Sequence, residues 1–245
     1  MKVSILTTPE AVAEAAAAVV AETLASVARP VLGLPTGQTP LPLYSRLRLA
    51  GLDWSRVRTF NLDEFQGLAP EHPGSFRRYM DQHLFDPLGL GPAQIGFLRG
   101  DAADAAAECA RYEQAITAAG GIDLLVCGLG TNGHVAFNEP GPLLWGPTHV
   151  ATLLPDTRAA SAALFGGELA RVPTHALTMG MSTILQARRI LVLATGTAKA
   201  AAVAAMHHGP LTTMLPASWL QVHAAVDVLL DPAAAAALEP VAIRG

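Results

Sequence analysis

Lysine is almost missing from these 245 residues: of 16 basic side chains, 14 are arginine, and the lysines are Lys2 and Lys199. Cysteine is equally scarce. Cys109 and Cys127 are the only two, on a predicted helix and a predicted buried strand, so no disulfide framework is expected and a reducing compartment is the default. Charged residues make up 15% of the chain, with a formal net charge of −4. Basic residues never run longer than Arg77-Arg78 or Arg188-Arg189, which removes the electrostatic footprint of a nucleic-acid binder. A long uncharged apolar run is also missing. The candidate stretch 11–28, "AVAEAAAAVVAETLASVA", is broken by Glu14 and Glu22 and preceded by a single cation, Lys2. It reads as an Ala-rich amphipathic helix, neither a targeting segment nor a membrane span, and a cytoplasmic protein is expected. Metal-ligand spacing is absent too. There is no His-Glu-x-x-His or paired Cys-x-x-Cys, and the rings of the tandem His207-His208 do not share a helix face, so no metal is expected.

What is present is apolar: 51% of residues are hydrophobic, enough for a substantial core. Short apolar strands are predicted at 31–34, 57–61, 123–127, 190–195 and 225–230. Helices are predicted at 9–28, 40–49, 75–85, 102–119, 157–165, 197–207 and 232–238. Apolar strands separated by helices imply crossover connections and a mostly parallel sheet covered on both faces. The expected fold is α/β: one doubly wound, Rossmann-like domain over 1–245. No linker or internal repeat divides it. The proline-rich segment 139–157 reads as an irregular excursion, with a lid expected within 140–170.

In such sheets ligands bind beyond the carboxyl ends of the strands, and polar residues gather after four of the predicted strands. "PTGQTP" follows 31–34. Thr36, Gly37, Gln38 and Thr39 there offer backbone N–H groups and hydroxyls at a helix start, which suits a phosphate. An ordinary turn, with Thr39 capping a helix that begins at Pro40, fits the same residues. It is not a Walker loop, because no Gly-Lys-Ser/Thr follows. "LDEF" follows 57–61, where Asp63 or Glu64 could act as a general base or simply open a helix or turn. "GTAK" follows 190–195. Lys199 is either a solvated surface lysine or, in a chain that otherwise uses arginine, a point charge for an anion.

The fourth place is 127–140, "CGLGTNGHVAFNEP". Gly128, Gly130 and Gly133 match Gly-x-Gly-x-x-Gly, but Pro140, Gly141 and Pro142 leave no room for the helix that a dinucleotide fingerprint requires. A catalytic loop explains the composition better. Its glycines, Gly130 among them, let the backbone turn and approach a ligand, while His134 and Glu139 supply an imidazole and a carboxylate to orient it. Trp145 and the pair Met179/Met181 read as packing residues.

Together, "LGLPTGQTP", "TFNLDEF", "GLGTNGHVAFNEPG", "PDTR" and "ALTMGMSTILQARRILVLATGTAK" resemble the glucosamine-6-phosphate deaminase family, which shares a superfamily with 6-phosphogluconolactonase. Lactonases resemble the chain through "NGH" and then diverge, so "AFNEPG" favours the deaminase branch. The resemblance implies isomerisation of a phosphorylated amino sugar coupled to loss of ammonia, with no redox cofactor. It implies that Asp63 is the base between C2 and C1, and that His134 opens the sugar ring, oriented by Glu139 and Asn132. Thr36, Gly37, Gln38, Thr39, Gly130 and Lys199 would hold the substrate and its phosphate. A lactonase or a catalytically silent sugar-phosphate sensor are the alternatives, and a homo-oligomer is left open. Two departures stand out. Ala163 occupies the place of a phosphate-binding arginine, which puts the substrate's anionic group in question. Pro142, His149 and Ala151 replace polar and basic effector ligands, so regulation by N-acetylglucosamine 6-phosphate is expected to be absent.

Overall fold

Strands that are apolar at every position must be covered on both faces, and the chain folds accordingly. The computed structural model describes residues 1–238. Within them the strands are β1 (Lys2–Ile5), β2 (Val31–Leu34), β3 (Arg58–Asn61), β4 (Asp63–Phe65) and β5 (Ile95–Gly96), followed by β6 (Leu124–Gly128), β7 (His149–Thr152), β8 (His175–Thr178), β9 (Arg189–Ala194) and β10 (Val226–Leu230). The helices are α1 (Pro9–Ser26), α2 (Leu41–Leu49), α3 (Phe76–Met80), α4 (Asp86–Leu88), α5 (Ala105–Ala118), α6 (Pro155–Ser161), α7 (Met181–Leu185) and α8 (Ala200–His208). Seven strands form one parallel sheet in the order β1-β10-β9-β6-β2-β3-β5.

Successive strand residues point to opposite faces, which divides the core in two. Leu125, Cys127, Ile190 and Val192 pack with Tyr112 and Ile116 of α5 and Val203 and Met206 of α8. Leu124, Val126, Leu191 and Leu193 pack with Val12 and Val20 of α1 and Leu43 and Tyr44 of α2. The chain first extends the sheet from β2 to β3, then returns to place β6 on the other side of β2. That reversal makes the carboxyl edge at β2 and β6 the expected ligand crevice of an open α/β sheet.

Several predicted boundaries shift. The helix predicted at 157–165 is α6 followed by a 3-10 turn at Ala162–Phe165, ended by Gly166 with φ 71°. The one predicted at 75–85 runs through a π turn at Asp81–Phe85 into α4. Residues 232–238 form turns, not the predicted helix. A larger difference is a second, antiparallel sheet in the order β4-β8-β7. It takes Asp63 and Glu64 out of a loop and into a strand, and it gives part of the 139–157 excursion a regular structure. Met179 and Met181 are buried in the core, whereas Trp145 is largely exposed and takes part through its carbonyl, which accepts from Met181 N–H.

Glu64 explains why β4 lies where it does. Its buried carboxylate accepts from Ser75 Oγ at 2.7 Å and from the N–H groups of Phe76 at 3.0 Å and Arg77 at 2.9 Å. These are orphan donors of the first turn of α3. Burial raises the Glu64 carboxyl above its ordinary value, and the four hydrogen bonds, Phe65 N–H included, act against that rise. Removing the carboxylate would strand several donors away from water, each at about 1–3 kcal/mol. Glu64→Ala is therefore expected to destabilise the fold by roughly 3 kcal/mol or more in urea titration, with Glu64→Gln recovering part of it. A loss below about 0.5 kcal/mol would mean that α3 does not depend on this cap.

Candidate active site

Because the central strands are parallel, their carboxyl ends lie along one edge, and all four predicted clusters follow those ends. Asp63 comes two residues after β3, the Thr36–Thr39 loop follows β2, the His134 loop follows β6, and Lys199 follows β9. In the sheet these strands are consecutive neighbours.

The two adjacent carboxyls divide their tasks. Glu64 is held by α3, whereas Asp63 is 7% exposed and has no side-chain hydrogen bond among the described residues. Burial, then the neighbouring Glu64 charge, pushes its carboxyl up to about 8. An acid so placed exchanges its proton near neutral pH, which suits a general base.

The His134 loop is built by close approach. A Cβ on Gly130 would meet the His134 ring at 2.6 Å, so the imidazole lies where only glycine leaves space. Gly130 N–H donates to His134 O at 2.9 Å, and Gly133 N–H donates to Gly130 O at 3.0 Å. Gly133 has φ 85°, and a Cβ there would collide with Leu215. On the far side, Asn138 donates to the carbonyls of Val135 and Met179, and Thr178 Oγ1 accepts from Phe137 N–H at 3.1 Å. The loop is therefore tied to β8, the strand that also pairs with Asp63.

Within it, His134 Nδ1 stands 3.5 Å from Glu139 Oε2 and has no hydrogen-bond partner among the described residues. Asn132 links the two residues: its Oδ1 accepts from His134 N–H at 3.1 Å and its Nδ2 donates to Glu139 Oε2 at 3.0 Å. An ionised aspartate there could not donate to that carboxylate, which gives the asparagine a physical reason. Glu139 Oε1 also accepts from Leu154 N–H at 3.3 Å. Burial raises the Glu139 carboxyl, but His134, Thr157 and Asn132 beside it outweigh that and hold the group below its ordinary value. A carboxylate that stays charged at this distance can orient the imidazole.

After β2, Gly37 takes φ 106°. Thr39 does not cap the helix; α2 begins at Leu41, with no side-chain cap. Gln38 and Thr39 line a cleft of about 240 Å³ with Pro42, Leu193 and Thr195, which joins the ends of β2 and β9. Lys199 ends the 3-10 turn Thr197–Lys199 and is partly buried, and that burial lowers its pKa. Ala163 is exposed on the 3-10 turn after α6. Arg158 donates to the carbonyls of Leu169 and Val172, and Arg171 pairs with Glu168.

Two tyrosines escaped the sequence reading. Tyr79 Oη donates to Gly37 O at 2.6 Å, and the buried Tyr44 hydroxyl donates to Pro35 O. They grip the loop after β2 from behind. A tyrosine in the apolar stripe of a helix needs a partner for its hydroxyl, and Tyr44 in "LPLYSRL" carried that signal.

Known proteins give this arrangement a context. Residues 7–138 and 146–229 match the family described as glucosamine-6-phosphate isomerases/6-phosphogluconolactonase. A glucosamine-6-phosphate deaminase of Beutenbergia cavernae is 43% identical over 232 residues, covering 91% of this chain and 89% of that one. A solved monomeric glucosamine-6-phosphate deaminase superposes with a TM-score of 0.93 at 39% identity, over 97% of this chain and 100% of that one. The 6-phosphogluconolactonase of Trypanosoma cruzi shares the fold, with a TM-score of 0.78 at 20% identity over 98% and 97% of the two chains. Fold, edge clusters and sequence agree: the chain belongs to the glucosamine-6-phosphate isomerase/6-phosphogluconolactonase family.

Proposed function

We propose that this protein converts glucosamine 6-phosphate, or a close amino-sugar phosphate, to fructose 6-phosphate and ammonia. The observation that carries the reading is Asp63, a buried carboxyl beyond a central strand whose side chain has no hydrogen bond among the described residues. Relatives of more than 40% identity bear the deaminase name, whereas the lactonase likeness extends only to the fold.

In this reading His134, oriented by Glu139 and Asn132, moves a proton at the ring oxygen and opens the pyranose. Asp63 takes the proton from C2 of the open aminoaldose and returns it to C1. With a second proton passing from the amino nitrogen to O1, this leaves a hydroxyl on C1 and an imine on C2. Water then adds to the imine, ammonia leaves and the ketose remains. The backbone and hydroxyls of Thr36–Thr39, with Lys199, hold the phosphate, and Gly130 leaves space for the His134 ring beside the sugar. The residues invoked lie within one deaminase-like domain, whose segment 140–170 reaches the site at Leu154 N–H on Glu139.

Ammonia release from glucosamine 6-phosphate, followed against pH, tests the assignment. The base must be deprotonated before it acts, so kcat/KM should rise with pH until about 8 and level above it. A profile flat from pH 6 to 9 would remove Asp63 from this role. Asp63→Asn should retain substrate binding while losing about 10²–10⁴-fold in turnover, the usual weight of a general base. Hydrolysis of a sugar lactone without ammonia release would assign the chain to the lactonase branch instead.

A second expectation concerns Ala163. A bidentate arginine contact to phosphate is worth more than a lysine point charge. Ala163→Arg should then lower KM for glucosamine 6-phosphate by roughly tenfold and leave that for glucosamine unchanged. Equal effects on both sugars would mean that the position does not face the phosphate.

A further inference from the structure

Asp231 lies beyond the carboxyl end of β10, the neighbour of the strand that leads to Lys199, yet it belongs to none of the clusters described above. It follows β10 directly, and its carboxylate is 5% exposed. Its described partners are backbone. Gly196 N–H donates to Oδ1 at 3.0 Å and to Oδ2 at 3.1 Å, and Ala234 N–H donates to Oδ1 at 2.8 Å. No described cation pairs with it by a salt bridge.

The position of Gly196 gives these bonds their consequence. It adopts φ 87° and ψ 151°, a conformation almost reserved for glycine and one that needs its surroundings to hold it. The Gly196 carbonyl in turn accepts from Lys199 N–H at 3.1 Å. Hydrogen bonds thus connect the Asp231 carboxylate to Gly196 N–H, and the carbonyl of the same glycine to the backbone of Lys199. A carboxylate accepting from N–H groups makes the stronger, charge-assisted kind of bond. Such a bond holds the backbone from which the Lys199 side chain extends.

We infer that Asp231 is a positioning residue for substrate: through Gly196 it fixes the 3-10 turn that presents Lys199 to the phosphate. This inference rests on the reading that Lys199 holds that phosphate. It differs from a structural role in what it leaves unchanged. Proton transfer at C2 belongs to Asp63 on another strand, so disturbing Asp231 should weaken binding and spare the chemical step.

The test uses the full chain in four forms: wild type, Asp231→Ala, Lys199→Ala and the double variant. KM and kcat are measured for glucosamine 6-phosphate, with inorganic phosphate as a competitive probe. Losing a charged hydrogen bond to a ligand costs roughly 10- to 150-fold in affinity, and misplacing it costs part of that. Asp231→Ala is expected to raise KM and the phosphate inhibition constant by roughly tenfold or more, with kcat within about threefold of wild type. Asp231→Asn, which keeps an acceptor for Gly196 N–H, should recover most of the loss. In the Lys199→Ala background, removing Asp231 should add less than about twofold, because the group it places is already gone. Full additivity, a fall in kcat at unchanged KM, or an unchanged phosphate constant in Asp231→Ala would overturn the inference. If Lys199→Ala itself leaves KM and phosphate inhibition unchanged, the phosphate reading of Lys199 fails first, and this proposal with it. If Asp231→Ala does not fold, Gly196→Ala breaks the same turn from its other side and must show the same non-additive rise in KM.

Discussion

Everything at the carboxyl edge of the sheet depends on how two consecutive carboxyls are buried on β4. Burying a carboxylate is costly unless hydrogen bonds replace water. Glu64 has that replacement in the first turn of α3, and Asp63 does not. The same three-residue strand thus contains a structural anion and an acid pushed up to about 8. The anchor keeps the acid in place: α3 fixes β4, and β4 pairs in register with β8, setting Asp63 opposite Thr178. Thr178 also accepts from the backbone of the His134 loop at Phe137. Base and imidazole loop are therefore referenced to one strand, although they lie 71 residues apart in the chain.

A second constraint is the absence of side chains where backbone and ring must meet. Gly130 leaves the volume that the His134 imidazole occupies, and Gly133 admits Leu215 while turning at a positive φ. The imidazole, Asn132 and Glu139 are then arranged by short local bonds within the loop. Aromatic packing secures the surroundings. Phe65 of β4 lies against Phe76, Phe137 and Phe165, with ring centroids 4.8–5.4 Å apart. These rings come from α3, the His134 loop and the 3-10 turn that carries Ala163, so the cluster joins three of the segments that border the site.

Much of this was legible in the sequence because apolar runs bounded by glycine and threonine are unambiguous. The strand at 31–34 appears with the predicted boundaries, and the other four predicted strands shift by one residue at most at either end. The small sheet was not legible. "DEF", "HVAT" and "HALT" are short, carry residues disfavoured in strands, and pair over distances that no local pattern encodes. The Ala-rich stretch after Asp231 misled in the opposite direction. Its helix propensity is high and Asp231 even accepts from Ala234 N–H as an N-cap would, yet the segment folds as turns, for which the structure shows no local cause. Nor could the sequence decide between Asp63 and Glu64. That choice belongs to α3, whose free N–H groups select one carboxylate and leave the other.

The central claim is that Asp63 is a buried acid set apart by its surroundings. It can be tested directly by following the carboxyl carbons of aspartate-labelled protein by NMR from pH 4 to 10. Subtracting the spectra of Asp63→Asn should isolate one carboxyl titrating near 8. An Asp63 signal that titrates below about 5, as exposed carboxyls do, would contradict the account.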